Sequence, residues 1–164
     1  MVSYRMNISL AFTRFTNETI YENNEWKREH VYNGCIYGVP KDIVCDPGRH
    51  LIVIEMNIDS NKIIGFGKIR NIPDYSHKYN IYKYGYYNRK IFKGKCRIDI
   101  TEITDQYCLD SIAELEKILF YGKTHVKRGI GIQILKTERV TKHKDYNFIE
   151  IFKALFHQQQ PVAQ

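Results

Sequence analysis

The chain has 164 residues, a net charge of +7 and 43% hydrophobic residues, with a pI near 9.2. That length suits one domain with a real core. No run approaches the roughly 18–20 apolar residues of a membrane span, and the opening MVSYRMNISL lacks the apolar core and cleavage site of a secretory signal. A cytoplasmic, reducing setting is therefore expected, with no membrane partner.

Cys35, Cys45, Cys96 and Cys108 are widely spaced, without a CxxC pair or an HxxxH partner. They read as free thiols, and no metal site or other cofactor is expected. Ile, Lys, Asn and Tyr, all with AT-rich codons, are heavily used. That bias implies an AT-rich genome such as that of a large DNA virus or a protist parasite. For a viral protein the setting is the host cytoplasm or the virion. The positive charge favours an acidic partner, nucleic acid first.

In chain order, residues 7–15 (NISLAFTRF) are expected to form a strand. A helix over 19–30 follows, with Thr19 and Glu22 as its capping box. Its apolar stripe is thin, with Ile20, Tyr21 and Trp26 as the only large residues. Residues 35–39 form a short strand stopped by Pro40. Residues 51–58 and 63–72, joined by Asp59, Ser60, Asn61 and Lys62, read as an antiparallel hairpin. Ile52, Ile54, Met56 and Ile58 share its core face; Leu51, Val53, Glu55 and Asn57 make a mixed one. Gly65 and Gly67 bare a patch of sheet, for a sharp bend or for close approach of a backbone, base or ring. Residues 73–94 form a long tyrosine-rich segment. A strand over 95–103 and a helix opened by Ser111 and Glu114 come next. The helix carries the stripe Ile112, Leu115 and Leu119 and is closed by Gly122. A strand over 129–140 and an amphipathic helix from Asp145 complete a single domain, residues 1–157. The tail, 158–164, is expected to be disordered.

Two stretches carry the functional signal. Between Tyr75 and Ile98 there is no acidic residue, while Lys78, Lys83, Arg89, Lys90, Lys93, Lys95 and Arg97 alternate with tyrosines. Such a pattern holds single-stranded nucleic acid, cations on the phosphates and ring faces on the bases. A solvated loop whose tyrosines cover the core edge is the bland alternative. The second stretch is GKTHVKRGIG, residues 122–131, where Lys123, His125, Lys127 and Arg128 cluster between glycines that free backbone amides for a phosphate. It is not a P-loop: the glycine required five residues before Gly122 is Lys117, and the triplet closes a helix instead of opening one. Trp26, the only tryptophan, either anchors its helix or offers a face to a base. The candidate nucleic-acid contacts are thus Trp26, Tyr84, Tyr86, Tyr87, Arg89, Lys93, Lys95, Lys123, His125, Lys127 and Arg128. No nucleophile elbow, HExxH or paired-carboxylate signature is present, so no catalytic residue is assigned. Glu55, with Lys68 and Arg70 opposite it, reads as a cross-strand ion pair before it reads as a general base.

The order of elements, with CIYGVP leading into LIVIEMNIDSNKIIGFGKIRNI, resembles the PUA-like superfamily, which includes the YTH, EVE and ASCH domains. The resemblance covers residues 12–72, with later elements compatible in order, and rests on pattern. The ASCH signature before the hairpin is not evident in YNGCIYGVPK, and the YTH cage tryptophans have no counterparts beyond Trp26. It implies an α+β fold, a small mostly antiparallel β-barrel or curled sheet flanked by about three helices. It also implies recognition of RNA or DNA through an aromatic pocket that seats a single, sometimes modified, base. A structural or virion-associated basic protein that binds genome non-specifically is the second reading, and a nucleoside- or RNA-acting hydrolase on the same fold the third. Oligomeric state is not legible.

Overall fold

The computed structural model describes residues 7–141 and 145–158. The expected disordered tail lies outside the described residues except for Gln158, which ends the last helix.

The fold is α+β. Strand β1 (Ile8–Phe15) leads through Thr16 into α1 (Asn17–Glu29), and β2 (Cys35–Val39) follows. The hairpin is β3 (His50–Asn57) and β4 (Lys62–Arg70). After a 3₁₀ turn at Gly85–Asn88 come β5 (Lys90–Gly94) and β6 (Cys96–Asp99). Helix α2 (Gln106–Phe120), the two-residue β7 (Gln133–Ile134), the single turn α3 (Thr137–Val140) and α4 (Phe148–Gln158) complete it.

Five strands form a mixed sheet in the order β6-β4-β3-β1-β7, with β1 and β3 parallel; β2 and β5 pair separately. Among the described residues no closed barrel forms. One residue, Lys95, separates β5 from β6, so a single bent ribbon serves both sheets.

β3 is buried on both faces, and the two faces belong to two cores. Ile52, Ile54 and Met56 meet Leu115 and Leu119 of α2 and Phe152 of α4. Leu51 and Val53 face β2 and β5 together with Tyr79, Ile81 and Tyr82. The tyrosine-rich segment is therefore partly core: Tyr79 and Tyr82 are buried, whereas Tyr75, Tyr84 and Tyr86 are exposed. The hairpin alternates as expected except at a bulge between Glu55 and Met56, where Ile64 is the extra residue on β4.

Several boundaries differ from expectation. The capping box of α1 is Thr16 with Thr19, so the helix starts before Thr19 and Glu22 is left inside it. Helix α2 is capped by Asp105, not by Ser111, whose buried hydroxyl donates to the Cys108 carbonyl 2.6 Å away. The strand expected over 129–140 shrinks to Gln133–Ile134, because only that stretch and the Leu135 amide, which donates to the Leu10 carbonyl at 2.9 Å, pair with β1. The strand expected over 95–103 is β6 followed by a 3₁₀ turn, Ile100–Glu102.

The bare glycine patch is filled by the protein itself. A Cβ on Gly67 would overlap the Tyr37 hydroxyl and come within 2.7 Å of Cys35 Sγ; one on Gly65 would lie 2.6 Å from the Arg97 guanidinium. The patch admits β2 and a side chain of β6, so it is not an open pocket floor. Gly67→Ala is expected to cost about 1–3 kcal/mol by overpacking. Urea denaturation reads this, and an unchanged midpoint would contradict the close approach.

Candidate nucleic-acid interface

The geometry brings parts of the two sequence-marked stretches to one place. A narrow cleft of about 70 Å³ lies where the end of β1, the start of α1 and the end of β2 converge. Arg14, Thr16, Thr19, Gly38 and Pro40 line it, together with Tyr82 and Tyr87 from the tyrosine-rich segment and Ile130 and Gly131 from the basic loop. That volume has room for a few waters. Arg14 ties the loop down, its Nη1 donating to the Lys127 carbonyl at 3.1 Å. Local sequence explains the walls. Pro40 halts β2, and Thr16 in extended conformation turns β1 into the helix. Asn88 holds the tyrosine turn by accepting from the Ile81 and Tyr82 amides at 3.1 and 3.0 Å.

Of the candidate contacts, only Tyr87 lines the cleft directly. Its ring lies 5.2 Å from Tyr84 and 6.1 Å from Tyr86, and Arg89 sits 5.7 Å above the Tyr86 ring. Tyr84 and Tyr86 are exposed, so this turn presents an aromatic ledge beside the cleft. Lys127 adjoins the cleft through its carbonyl. His125 accepts from the Lys127 amide at 3.3 Å, while Lys123 and Arg128 are exposed on the same loop.

Trp26 stands elsewhere. It is half-buried, stacked on His30 at 4.1 Å, and edged by Tyr32 and Tyr79. Lys93 caps this second aromatic group, 5.3 Å above Tyr79, and pairs with Asp74 at 3.2 Å. Lys95 lies beyond it, exposed. The cleft residues missed from sequence are Arg14, Thr16, Thr19, Gly38, Tyr82 and Ile130. Gly38 before Pro40 was the one local hint.

Asp74 anchors the segment that carries Lys93. Its carboxylate accepts from the Ser76 hydroxyl and amide and from Tyr79, and these bonds hold it well below the usual carboxylate range. A carboxyl depressed in the folded state stabilises above its unfolded pKa of about 3.9 and loses that contribution as pH falls. The stability gap between the wild type and Asp74→Asn should therefore be full at neutral pH and begin to close below about pH 4. Urea melts across that range read it, and a gap independent of pH would remove the assignment.

A second polar network lies under α1. Glu55, 3% exposed, is held by Arg97 at 2.7 Å and by the Tyr37 hydroxyl at 2.6 Å, while Arg97 also reaches Asp99 at 3.0 Å. The partner of Glu55 is thus Arg97 on β6, not Lys68 or Arg70. Gly65 lies between the two strands, and its missing side chain lets the guanidinium cross. Burial, then the Arg97 charge, lowers the Lys27 ammonium pKa beside this network. Burial also lifts the Cys35 thiol to about 12, which leaves it inert at neutral pH. Among the described residues no group of three or more His, Cys, Asp or Glu side chains could hold a metal ion.

No protein-family model matches the chain, and no curated protein or solved structure is significantly similar to it. Among the described residues no helix is long and apolar enough to cross a membrane.

Proposed function

We propose that the chain binds single-stranded nucleic acid, with one base entering the cleft beside Tyr87 and the flanking phosphates meeting the basic loop. The observation that carries this reading is the convergence of Tyr87, on its exposed aromatic ledge, with the 122–131 loop at a single opening. Rings for stacking and cations for phosphates are the two elements such recognition needs. At its present width the cleft admits a base once the loop draws back, a modest adjustment on binding. A pocket framed by a helix start and strand ends also agrees with the PUA-like resemblance, whose members seat a base between helix and sheet.

Trp26 is left out of the stacking role, since its ring already stacks on His30 and meets Tyr32 and Tyr79. The ledge tyrosines take that role. Anisotropy titrations with single-stranded RNA, single-stranded DNA and duplex test the reading. Single strands should bind tighter than duplex, and the double variant Lys127→Glu, Arg128→Glu should weaken binding at least about tenfold at low salt. Equal affinity for all three, falling along one salt slope, would instead favour a basic protein that coats genome without selection. No change in the double variant would remove the loop from the interface.

A further inference from the structure

A second cationic surface lies away from the cleft, where the start of β3, the end of β4 and the β5–β6 junction meet. By register His50 pairs with Arg70 and Ile52 with Lys68, so His50, Lys68 and Arg70 share one face of the hairpin. Gly94 brings the neighbouring ribbon against them: a Cβ there would overlap the Lys68 carbonyl, so only glycine allows the approach. Lys93 and Lys95 flank that glycine and are carried to the same groove, which encloses about 330 Å³ and has no acidic residue in its lining. Asp74 compensates Lys93. Lys68, Arg70 and Lys95 have no ion pair among the described residues; Arg70 only donates to the Gly48 carbonyl at 3.3 Å. Folding has thus gathered three uncompensated cations from two separate ribbons around one groove, against their mutual repulsion.

We infer that this groove binds consecutive phosphates of a phosphate chain, either a phosphodiester backbone or inorganic polyphosphate. The cations come from opposite sides of the groove, Lys68 and Arg70 from the hairpin and Lys95 from the β5–β6 ribbon. That spread suits a linear polyanion lying along it more than one compact anion. Burial, then Arg70 and Lys68, lowers the His50 pKa, leaving at neutral pH a neutral imidazole that can donate one hydrogen bond to a phosphate oxygen. Ile72, in the lining, is exposed.

The inference does not depend on base recognition, and its test separates the two. Inorganic polyphosphate and an abasic oligodeoxynucleotide, which offer phosphates without bases, are titrated against the full chain, with heparin as a sulfated control. Lys68→Glu with Lys95→Glu should lower affinity for both phosphate chains by about tenfold or more and reduce the salt slope by about two. Lys127→Glu with Arg128→Glu removes the cleft loop's own phosphate contacts, so its loss should add to that of the groove variant and leave the groove variant's effect in place. Preference for the abasic strand over polyphosphate would assign the groove to a nucleic-acid backbone, and the reverse to the free polymer. The milder Lys95→Gln, at an exposed position, guards against misfolding and should lower the slope by about one. Unchanged binding in the charge-reversed variant, or heparin held as tightly as either phosphate chain and equally weakened, would overturn the proposal.

Discussion

Arg97→Met is expected to lower the free energy of unfolding by about 3–5 kcal/mol. The reason lies in what the substitution leaves behind. Glu55 is almost fully buried, and its carboxylate is held by three contacts from Arg97 and one from the Tyr37 hydroxyl. With the guanidinium removed, a desolvated carboxylate keeps one neutral donor. Asp99 loses a partner too, but it is half-exposed and retains the Thr101 amide and hydroxyl, so its loss is small. Adding Glu55→Gln should recover most of the deficit, because an amide carbonyl still accepts from Tyr37 without an unpaired charge. The double variant should therefore be more stable than Arg97→Met alone. Urea denaturation of the four proteins gives the coupling directly. A single-variant loss below about 1 kcal/mol, the scale of an exposed pair, would show that water reaches the carboxylate.

That ion pair also marks the limit of what the chain shows on its face. Glu55 and Arg97 are 42 residues apart, and nothing local to either names the other. The hairpin invited Lys68 and Arg70 as partners because cross-strand neighbours are the pairs a sequence displays. Two glycines made the longer reach possible. Their presence on one face was legible, and close approach was one of the two purposes offered for it, behind a sharp bend; what approaches was not legible. The occupants, Tyr37, Cys35 and Arg97, come from strands whose position depends on the whole fold.

Elements with a strong period and a nearby stop were legible: β2 before Pro40, the hairpin around its Asp-Ser-Asn tip, and the apolar stripes of α2 and α4. The failures share a cause. Ile130, Ile132 and Ile134 alternate like a strand, yet alternation says which sides differ, not whether a partner lies alongside. Only the short run from Gln133 to Leu135 meets β1, and Ile130 is left exposed at the cleft mouth. Capping boxes were misplaced because Ser or Thr with Glu three residues on recurs by chance, and the helices begin at Thr16 and Asp105 instead. At the candidate interface, Tyr87 was readable from the aromatic and basic alternation. Arg14 was not, since parallel pairing of β1 with β3 brings it to the cleft, and Gly38 before Pro40 hinted only at a strand end, since the separate β2–β5 ribbon is what places it there.

Tyr87→Ala is expected to weaken single-strand binding by about 5- to 150-fold, the loss of roughly 1–3 kcal/mol that removing one stacked ring produces. Tyr87→Phe should bind nearly as tightly as the wild type, because stacking uses the ring face and not the hydroxyl. The pair of variants separates contact from support. Tyr87 also meets Tyr82 edge-on at 6.3 Å, so alanine disturbs the cleft wall as well as its surface. Tyr84→Ala supplies the comparison, since that ring is exposed on the ledge outside the cleft. If a base enters the cleft, Tyr87→Ala should lose more affinity than Tyr84→Ala at equal ionic strength, with both salt slopes unchanged, because neither removes a phosphate contact. Equal losses would place the bases on the ledge and leave the cleft empty. A Tyr87→Ala protein that melts like the wild type and binds as tightly would exclude the cleft as a base site.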